Sequence, residues 1–162
     1  MRSIGAGMNQ WEMLQRFIEE TEIDTVMLAG RYTLLEQTAL DSMLPLCVER
    51  GVSVLAAGVF NSGLLAVDRP AAEAMYNYQT APSELHGRAL RVGEICAAHG
   101  VSVPQAAMAF VAAHPAVSDV VVGARTAEQI TRNAKLFETP VPAALWSDLV
   151  SAGLLRADAP TP

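Results

Sequence analysis

Val120-Val121-Val122 runs straight into Gly123-Ala124-Arg125-Thr126 and then Ala127-Glu128-Gln129-Ile130-Thr131-Arg132-Asn133. An unbroken β-branched run of this kind predicts a strand buried on both faces, the usual condition in a parallel sheet. Gly123 and Ala124 end the strand with residues small enough for another group to approach the backbone. Thr126 then predicts a helix N-cap, with Gln129 three residues on as the reciprocal member of a capping box. A glycine at a strand end feeding a helix N-terminus offers free N–H groups and the positive end of a dipole, which suits phosphate. An ordinary strand–turn–helix junction would show the same pattern.

Three earlier apolar runs precede this one. Ser3 to Gly7 reads as a short strand, and Asn9 with Glu12 predicts a capped helix whose buried stripe is Trp11, Leu14, Phe17 and Ile18. Thr25 to Ala29 is a second strand. A helix is expected from Leu34 to Val48, kinked or divided at Pro45 and stopped by Arg50-Gly51. Val52 to Gly58 is a third strand, ending in the small, polar loop Val59-Phe60-Asn61-Ser62-Gly63. Residues 67–82 form a long excursion of the kind that carries binding work or covers a site. Ser83 to Ala98 and a helix opened by Ser102-Val103-Pro104-Gln105, a second capping box, lead back to Val120. Pro140 to Gly153 holds a last amphipathic helix, and the tail 157–162 is expected to fray.

The resulting order is β-α-β-α-β-α-α-β-α-α, which means a parallel sheet with helices outside it. A complete (β/α)8 barrel takes ~250 residues. This chain has 162 residues and four strand–helix units, so it reads as one domain over 1–162 forming half of a TIM barrel. The alternative is a small open, doubly wound sheet. Hydrophobic residues make up 51% of the chain and charged ones 17%, which agrees with a half barrel whose open side is meant to be covered.

A net charge of −6 with scattered arginines argues against nucleic acid. No apolar run reaches membrane-spanning length, and the first residues lack the core of a signal peptide. Cys47 and Cys96 lie on apolar helix faces and read as buried free thiols, so a cytoplasmic protein is expected. Two cysteines and three histidines give no zinc spacing.

Four segments together resemble the C-terminal half of an aldo-keto reductase, in the branch of L-fucose, D-threo-aldose and pyridoxal dehydrogenases. They are Ile4-Gly5-Ala6-Gly7-Met8-Asn9, Leu28-Ala29-Gly30-Arg31-Tyr32-Thr33-Leu34-Leu35, Phe60-Asn61-Ser62-Gly63-Leu64-Leu65, and Gly123 through Asn133. They occur in family order and at family spacing. The resemblance implies strands five to eight of a barrel that binds NAD or NADP at its C-terminal face, with a sugar or small aldehyde as substrate. Asn9 matches the asparagine that holds the nicotinamide carboxamide, although Met8 replaces its usual serine neighbour. Ala29 and Ala57 fall near a usual glutamine and a usual aromatic. Phe60, Asn61, Ser62 and Gly63 match the pyrophosphate loop. Gly123, Ala124, Arg125 and Thr126 match the loop at the adenosine phosphate end, and Asn133 matches the adenine contact. Gln129 stands where many members carry an arginine for the 2′-phosphate, so NAD is favoured over NADP. Phosphate sites in such barrels tend to lie on the loops after strands seven and eight, which here are the third and fourth.

The family's Asp-Tyr-Lys-His set has no counterpart in this chain. Lys135, the only lysine, lies in the helix after the last strand, and His86, His99 and His114 read as capping or surface residues. Tyr32 and Tyr76 can line a pocket but lack a lysine or histidine partner. Two functional classes remain. One is the cofactor-binding half of a nicotinamide-dependent aldose or alcohol dehydrogenase, inactive by itself. The other is a non-catalytic dinucleotide-binding or interaction module. Either would present two unpaired strand edges, so a homodimer or a complementing N-terminal half is expected.

Overall fold

The computed structural model describes residues 3–162. Its main sheet has four parallel strands, β1 (Gly5–Met8), β2 (Thr25–Ala29), β3 (Ser53–Ala57) and β6 (Val117–Val121), hydrogen-bonded in the order β1-β2-β3-β6. Six helices connect and flank them: α1 (Trp11–Glu20), α2 (Met43–Arg50), α3 (Ser83–Ala98), α4 (Val103–Ala112), α5 (Ala127–Glu138) and α6 (Ala143–Ser151). A two-stranded antiparallel hairpin, β4 (Met75–Tyr76) and β5 (Gln79–Thr80), stands apart in the excursion after β3. The strand order follows the chain without reversal. A doubly wound sheet needs a reversal at its switch point, so that alternative is excluded.

Register separates the two faces of the sheet. Ala6, Val26 and Val54 are aligned, as are Met8, Leu28, Ala56 and Val120, and these two rows pack into the core beneath the helices. The opposite face carries the row Gly7, Met27, Leu55, Asp119 and the row Ala29, Ala57, Val121. Val26, Leu28, Val54 and Ala56 are buried, whereas Met27, Asp119 and Val121 are exposed. The expectation that the Val120 strand is buried on both faces is therefore corrected. Val121 is 39% exposed because β6 is an edge strand with no layer over its second face.

Several local expectations also change. Gln10, not Asn9, occupies the N-cap of α1, and its carbonyl accepts from Met13 N and Leu14 N. The chain from Leu34 does not enter a helix directly. Thr33 Oγ1 accepts from Leu35 N and Glu36 N, while Gln37 Nε2 donates to the carbonyls of Thr33 and Leu34. Those side-chain bonds hold a turn, a 3-10 segment follows at Thr38–Asp41, and α2 begins at Met43. Pro45 thus sits in the first helical turn, where its missing N–H has no intrahelical partner to lose. Gly51 closes α2 in the left-handed conformation, as the Arg50-Gly51 pair predicts.

The capping box expected at Ser102 does not form. Asp68 reaches in from the excursion and accepts from Val103 N at 2.7 Å, while Ser102 Oγ is buried without a partner. Gln105 is turned away and donates to the carbonyls of Thr139 and Pro140. His114 is buried rather than a surface or capping residue, its Nδ1 accepting from Ala116 N. Cys47 and Cys96 are buried free thiols, and burial pushes them up to about 11 and about 12 respectively. Near the C-terminus Ala159 is buried, and Arg156 binds Asp158 and Asp41. Among the described residues, no single helix is long and apolar enough to cross a membrane.

Candidate functional site

The loops at the C-terminal ends of the four strands carry every candidate residue except Gln129 and Asn133, which lie on α5. The loop after β3 is the most constrained. Asn61 (φ +44°) and Ser62 (φ +59°) are both left-handed without being glycine, and Gly63 follows at φ +108°. Non-glycine residues held there carry strain that the surroundings must over-determine. Asn61 is only 3% exposed and its Nδ2 donates to the carbonyl of Gly30 at 3.2 Å. Gly30 N in turn donates to Ala57 O at 2.8 Å. Gly58, also left-handed, lies so close that a Cβ there would stand 3.0 Å from Gly30 N. The loop after β3 is therefore stapled to the loop after β2 by two hydrogen bonds and a glycine–glycine contact.

The hairpin of the excursion packs onto the same place. Asn77 N donates to Ser62 Oγ at 3.2 Å, and Asn77 and Tyr78 are the other two left-handed non-glycine residues among those described. Two consecutive positive φ values define the mirror-image turn that suits a tight hairpin. Tyr76 OH accepts from Arg31 Nη1 at 2.7 Å, and the same nitrogen pairs with Glu36 at 2.9 Å. Burial pushes the Glu36 carboxyl above its ordinary range, and the Arg31 charge and hydrogen bond partly offset this. This Arg31–Glu36–Tyr76 network joins residues up to 45 positions apart, a separation that leaves no local sequence pattern. For the hairpin, Asn77 was the available signal, obscured by a tyrosine in the position glycine usually takes.

After β6 the expected Thr126 N-cap is present, but the reciprocal bond from Gln129 goes to the residue before the cap rather than to Thr126 N. Thr126 Oγ1 accepts from Gln129 N at 3.3 Å, and Gln129 Oε1 accepts from Arg125 N at 2.8 Å. Gly123, Ala124, Arg125 and Thr126 are all exposed, and Gln129 is committed to the cap. Glu128, in the first turn, is held below the ordinary carboxylate range by its own backbone N–H and by Thr126. Asn133 lies deeper, 5% exposed, with Oδ1 buried and unpartnered at the wall of a cavity of about 620 Å³. That cavity is otherwise lined mainly by apolar side chains, including Val120, Ile130 and Phe137.

The structure places Phe60, Asn61, Ser62 and Gly63 beside the loop after β2, and Arg125, Gln129 and Thr126 in one cap. Asn9 is exposed at the end of β1, on the opposite edge of the sheet from β6. Tyr32 is no pocket-lining group. It is buried against Phe110 and His114, with its hydroxyl unpartnered and pushed upward in pKa by burial.

The model of the Aldo/keto reductase family matches residues 1–153. The chain belongs to the aldo/keto reductase family. It is 40% identical over 155 residues to a pyridoxal 4-dehydrogenase of Microbacterium luteolum, covering 96% of this chain and 45% of that protein. It is 41% identical over 162 residues to a D-threo-aldose 1-dehydrogenase of a Pseudomonas species, covering 100% and 48%. Among solved structures, an aldo-keto reductase of Bacillus halodurans aligns in its holo form with a TM-score of 0.72. The identity is 24%, over 98% of this chain and 51% of that one. The apo form of the same reductase gives 0.70 over 94% and 50%. This aldo/keto reductase chain thus spans about half the length of the curated relatives it matches, and its sheet is half of the reductase barrel.

Proposed function

We propose that this chain supplies the cofactor-binding half of an NAD(P)-dependent dehydrogenase acting on an aldose or a related aldehyde or alcohol. The observation that carries the reading is the stapled, strained loop Phe60-Asn61-Ser62-Gly63, facing the capped loop Gly123 to Thr126 across adjacent strand ends. A nicotinamide dinucleotide offers phosphate oxygens, hydroxyl groups and the amino group of a flat adenine ring. Exposed Ser62 and Arg125 suit the phosphates. The unpartnered, buried Oδ1 of Asn133, beside an apolar cavity, suits a ring amino group, because it needs a donor. Asn9 takes the nicotinamide end in this reading. The cofactor, when bound, supplies hydride transfer; the residues of this chain orient it.

NAD is favoured over NADP. Gln129 is occupied in the cap, and the Glu128 carboxylate already fills the positive end of α5. A second anion there meets repulsion. Arg125 is the one exposed cation of the loop and opposes this preference.

No residue of this chain is assigned a catalytic role. The chain by itself is expected to show no turnover, since general acid–base transfer typically contributes ~10²–10⁴-fold. An N-terminal half of a family member, added to this chain, is expected to restore dehydrogenase activity toward D-threo-aldoses. Turnover by the chain alone that disappears on mutating its own loop residues would contradict the reading. The open side of the sheet is covered, in this reading, either by such an N-terminal half or by a second copy.

A further inference from the structure

We propose that Gln37 is a positioning residue for the phosphate loop. It clasps the segment 153–159 to the loop after β2, and two chains of hydrogen bonds carry that restraint to Ser62. The proposal rests on the cofactor-binding reading above and names a residue that acts on its site from outside.

Gln37 lies in the turn before the 3-10 segment and is 7% exposed. Its Nε2 donates to the carbonyls of Thr33 and Leu34 at 3.0 and 2.9 Å, and its Oε1 accepts from Arg156 N at 3.2 Å. Two donors on one atom with an acceptor beside them is what a side-chain amide offers. A glutamate here would set a carboxylate against two carbonyls, and a lysine could not accept from Arg156. Thr33, fully buried, closes the same turn. Its N donates to Glu36 O at 2.7 Å, and its Oγ1 accepts from Leu35 N and Glu36 N.

The segment on the other side of the clasp is held by its own contacts. Gly153 closes α6 in the left-handed conformation, and Leu154 and Leu155 are buried. Arg88 and Arg91 of α3 donate to the carbonyls of Leu154 and Ala152 at 3.2 and 2.9 Å, and Arg156 pairs with Asp41. A cleft of about 310 Å³, lined by Glu36, Gln37, Arg88 and Arg156 among others, leaves part of this junction unpacked. Its alignment therefore depends on the hydrogen bonds of Gln37 and Arg156.

Two routes lead from the turn to Ser62. Gly30 precedes Thr33 by three residues, and its carbonyl accepts from Nδ2 of Asn61, the neighbour of Ser62. Glu36, the neighbour of Gln37, pairs with Arg31, and Arg31 Nη1 donates to Tyr76 OH. Asn77 N, next along the hairpin, donates to Ser62 Oγ. Ser62 is thus gripped through its backbone neighbour and through its hydroxyl, and both grips start at the turn that Gln37 ties. Contacts to a ligand are sensitive to shifts of about 1 Å, so a loosened turn weakens the phosphate contact without touching it.

Hydrogen exchange and NADH titration of the full chain test this together. In Gln37→Met, a change of similar length that loses all three bonds, the amides of Asn61 and Gly63 are expected to exchange about tenfold faster or more. Gln105 provides the matched control. It is equally buried and donates to two consecutive carbonyls, Thr139 and Pro140, with no bonded route to Ser62. Gln105→Met is expected to leave Asn61 and Gly63 at the parent rate. NADH affinity is expected to fall about fivefold to tenfold in Gln37→Met and by about twofold or less when the same change is made in Ser62→Ala, since the effect passes through Ser62. If Gln37→Met does not fold, Arg156→Ala with Asp41→Ala loosens the same segment from exposed positions and makes the same comparison. Exchange at Asn61 and Gly63 that is unchanged, or equally faster in Gln105→Met, would overturn the proposal. An undiminished effect in Ser62→Ala would do so as well. The exchange arm needs no dinucleotide, so a parent chain that fails to bind NADH counts against the cofactor site, while the clasp is still decided at Asn61 and Gly63.

Discussion

The side-chain amide of Asn61 donates to the main-chain carbonyl of Gly30 across 3.2 Å, joining the loops that follow β3 and β2. Asn61 does this from a left-handed backbone conformation and almost fully buried, so its side chain serves as a brace. The adjacent Ser62 is left exposed, with its hydroxyl oriented by Asn77 N. In the proposed function the brace positions the serine for phosphate.

Replacing Asn61 by alanine removes the donor to Gly30 and keeps an unfavourable φ. A cost of about 1–2 kcal/mol is expected, from the lost part-buried hydrogen bond and left-handed strain. Asn61→Gly loses the same bond but fits φ +44°, so it should be the milder change. Urea unfolding of both variants checks this. Equal stability of the two would show that the backbone at this position is unstrained.

Two glycines of α3 should respond to alanine with opposite signs. At Gly87 a Cβ meets nothing within 4 Å, so Gly87→Ala is expected to stabilise by roughly 0.5–1 kcal/mol through helix propensity. At Gly93 the same Cβ would stand 2.3 Å from the carbonyl oxygen of Asp68. Asp68 is itself fixed by capping α4, so it cannot retreat freely. Gly93→Ala is expected to destabilise. Thermal unfolding compares them, and a stabilised Gly93→Ala would mean that the excursion is not anchored where it lies.

His114 gives a pH dependence with a definite sign. Burial lowers its pKa below the ordinary 6.5, so the unfolded chain binds more protons than the folded one between the two values. The stability from neutral, buried His114 is present above about pH 6.5 and declines as pH falls through that window toward the folded value. His114→Asn keeps an acceptor for Ala116 N and removes the titration. Its stability is expected to vary less between pH 5 and 7 than that of the parent chain. An unchanged slope would place the titration elsewhere.

Gln129→Arg tests the cap and the cofactor preference together. Loss of the Gln129 Oε1 bond to Arg125 N is expected to cost about 0.5–1 kcal/mol, and hydrogen exchange should localise it to the start of α5. The added cation is expected to shift binding from NAD toward NADP. A variant that loosens α5 without any shift would detach Gln129 from the 2′-phosphate position.

The sequence was informative wherever a signal was local. The apolar runs around Val26 and Val54, the Arg50-Gly51 stop and the Thr126 N-cap all depend on residues a few positions apart, and all appear in the fold. It was uninformative where a distant group took a local role. Asp68 caps α4 from 35 residues away, which leaves Ser102 without the role its motif suggests. The turn after Leu34 is set by Thr33 and Gln37 side chains bonding to nearby backbone, a competition that apolar periodicity does not show. Val121 fits a strand buried on both faces, but burial also depends on what lies beyond the sheet. For the candidate site, Asn61, Ser62 and Gly63 could be read from their polar, turn-forming types. The Arg31–Tyr76 contact that ties the hairpin to the sheet joins residues 45 apart and left no local pattern.

Titration of the full chain with NADH, followed by the fluorescence of the bound dinucleotide, tests the central claim most directly. The account predicts saturable binding of one NADH per chain, competed by NAD and by ADP, and weakened about tenfold or more in Arg125→Glu and Ser62→Asp. Absence of saturable binding up to millimolar dinucleotide, or binding unaffected by either substitution, would contradict it.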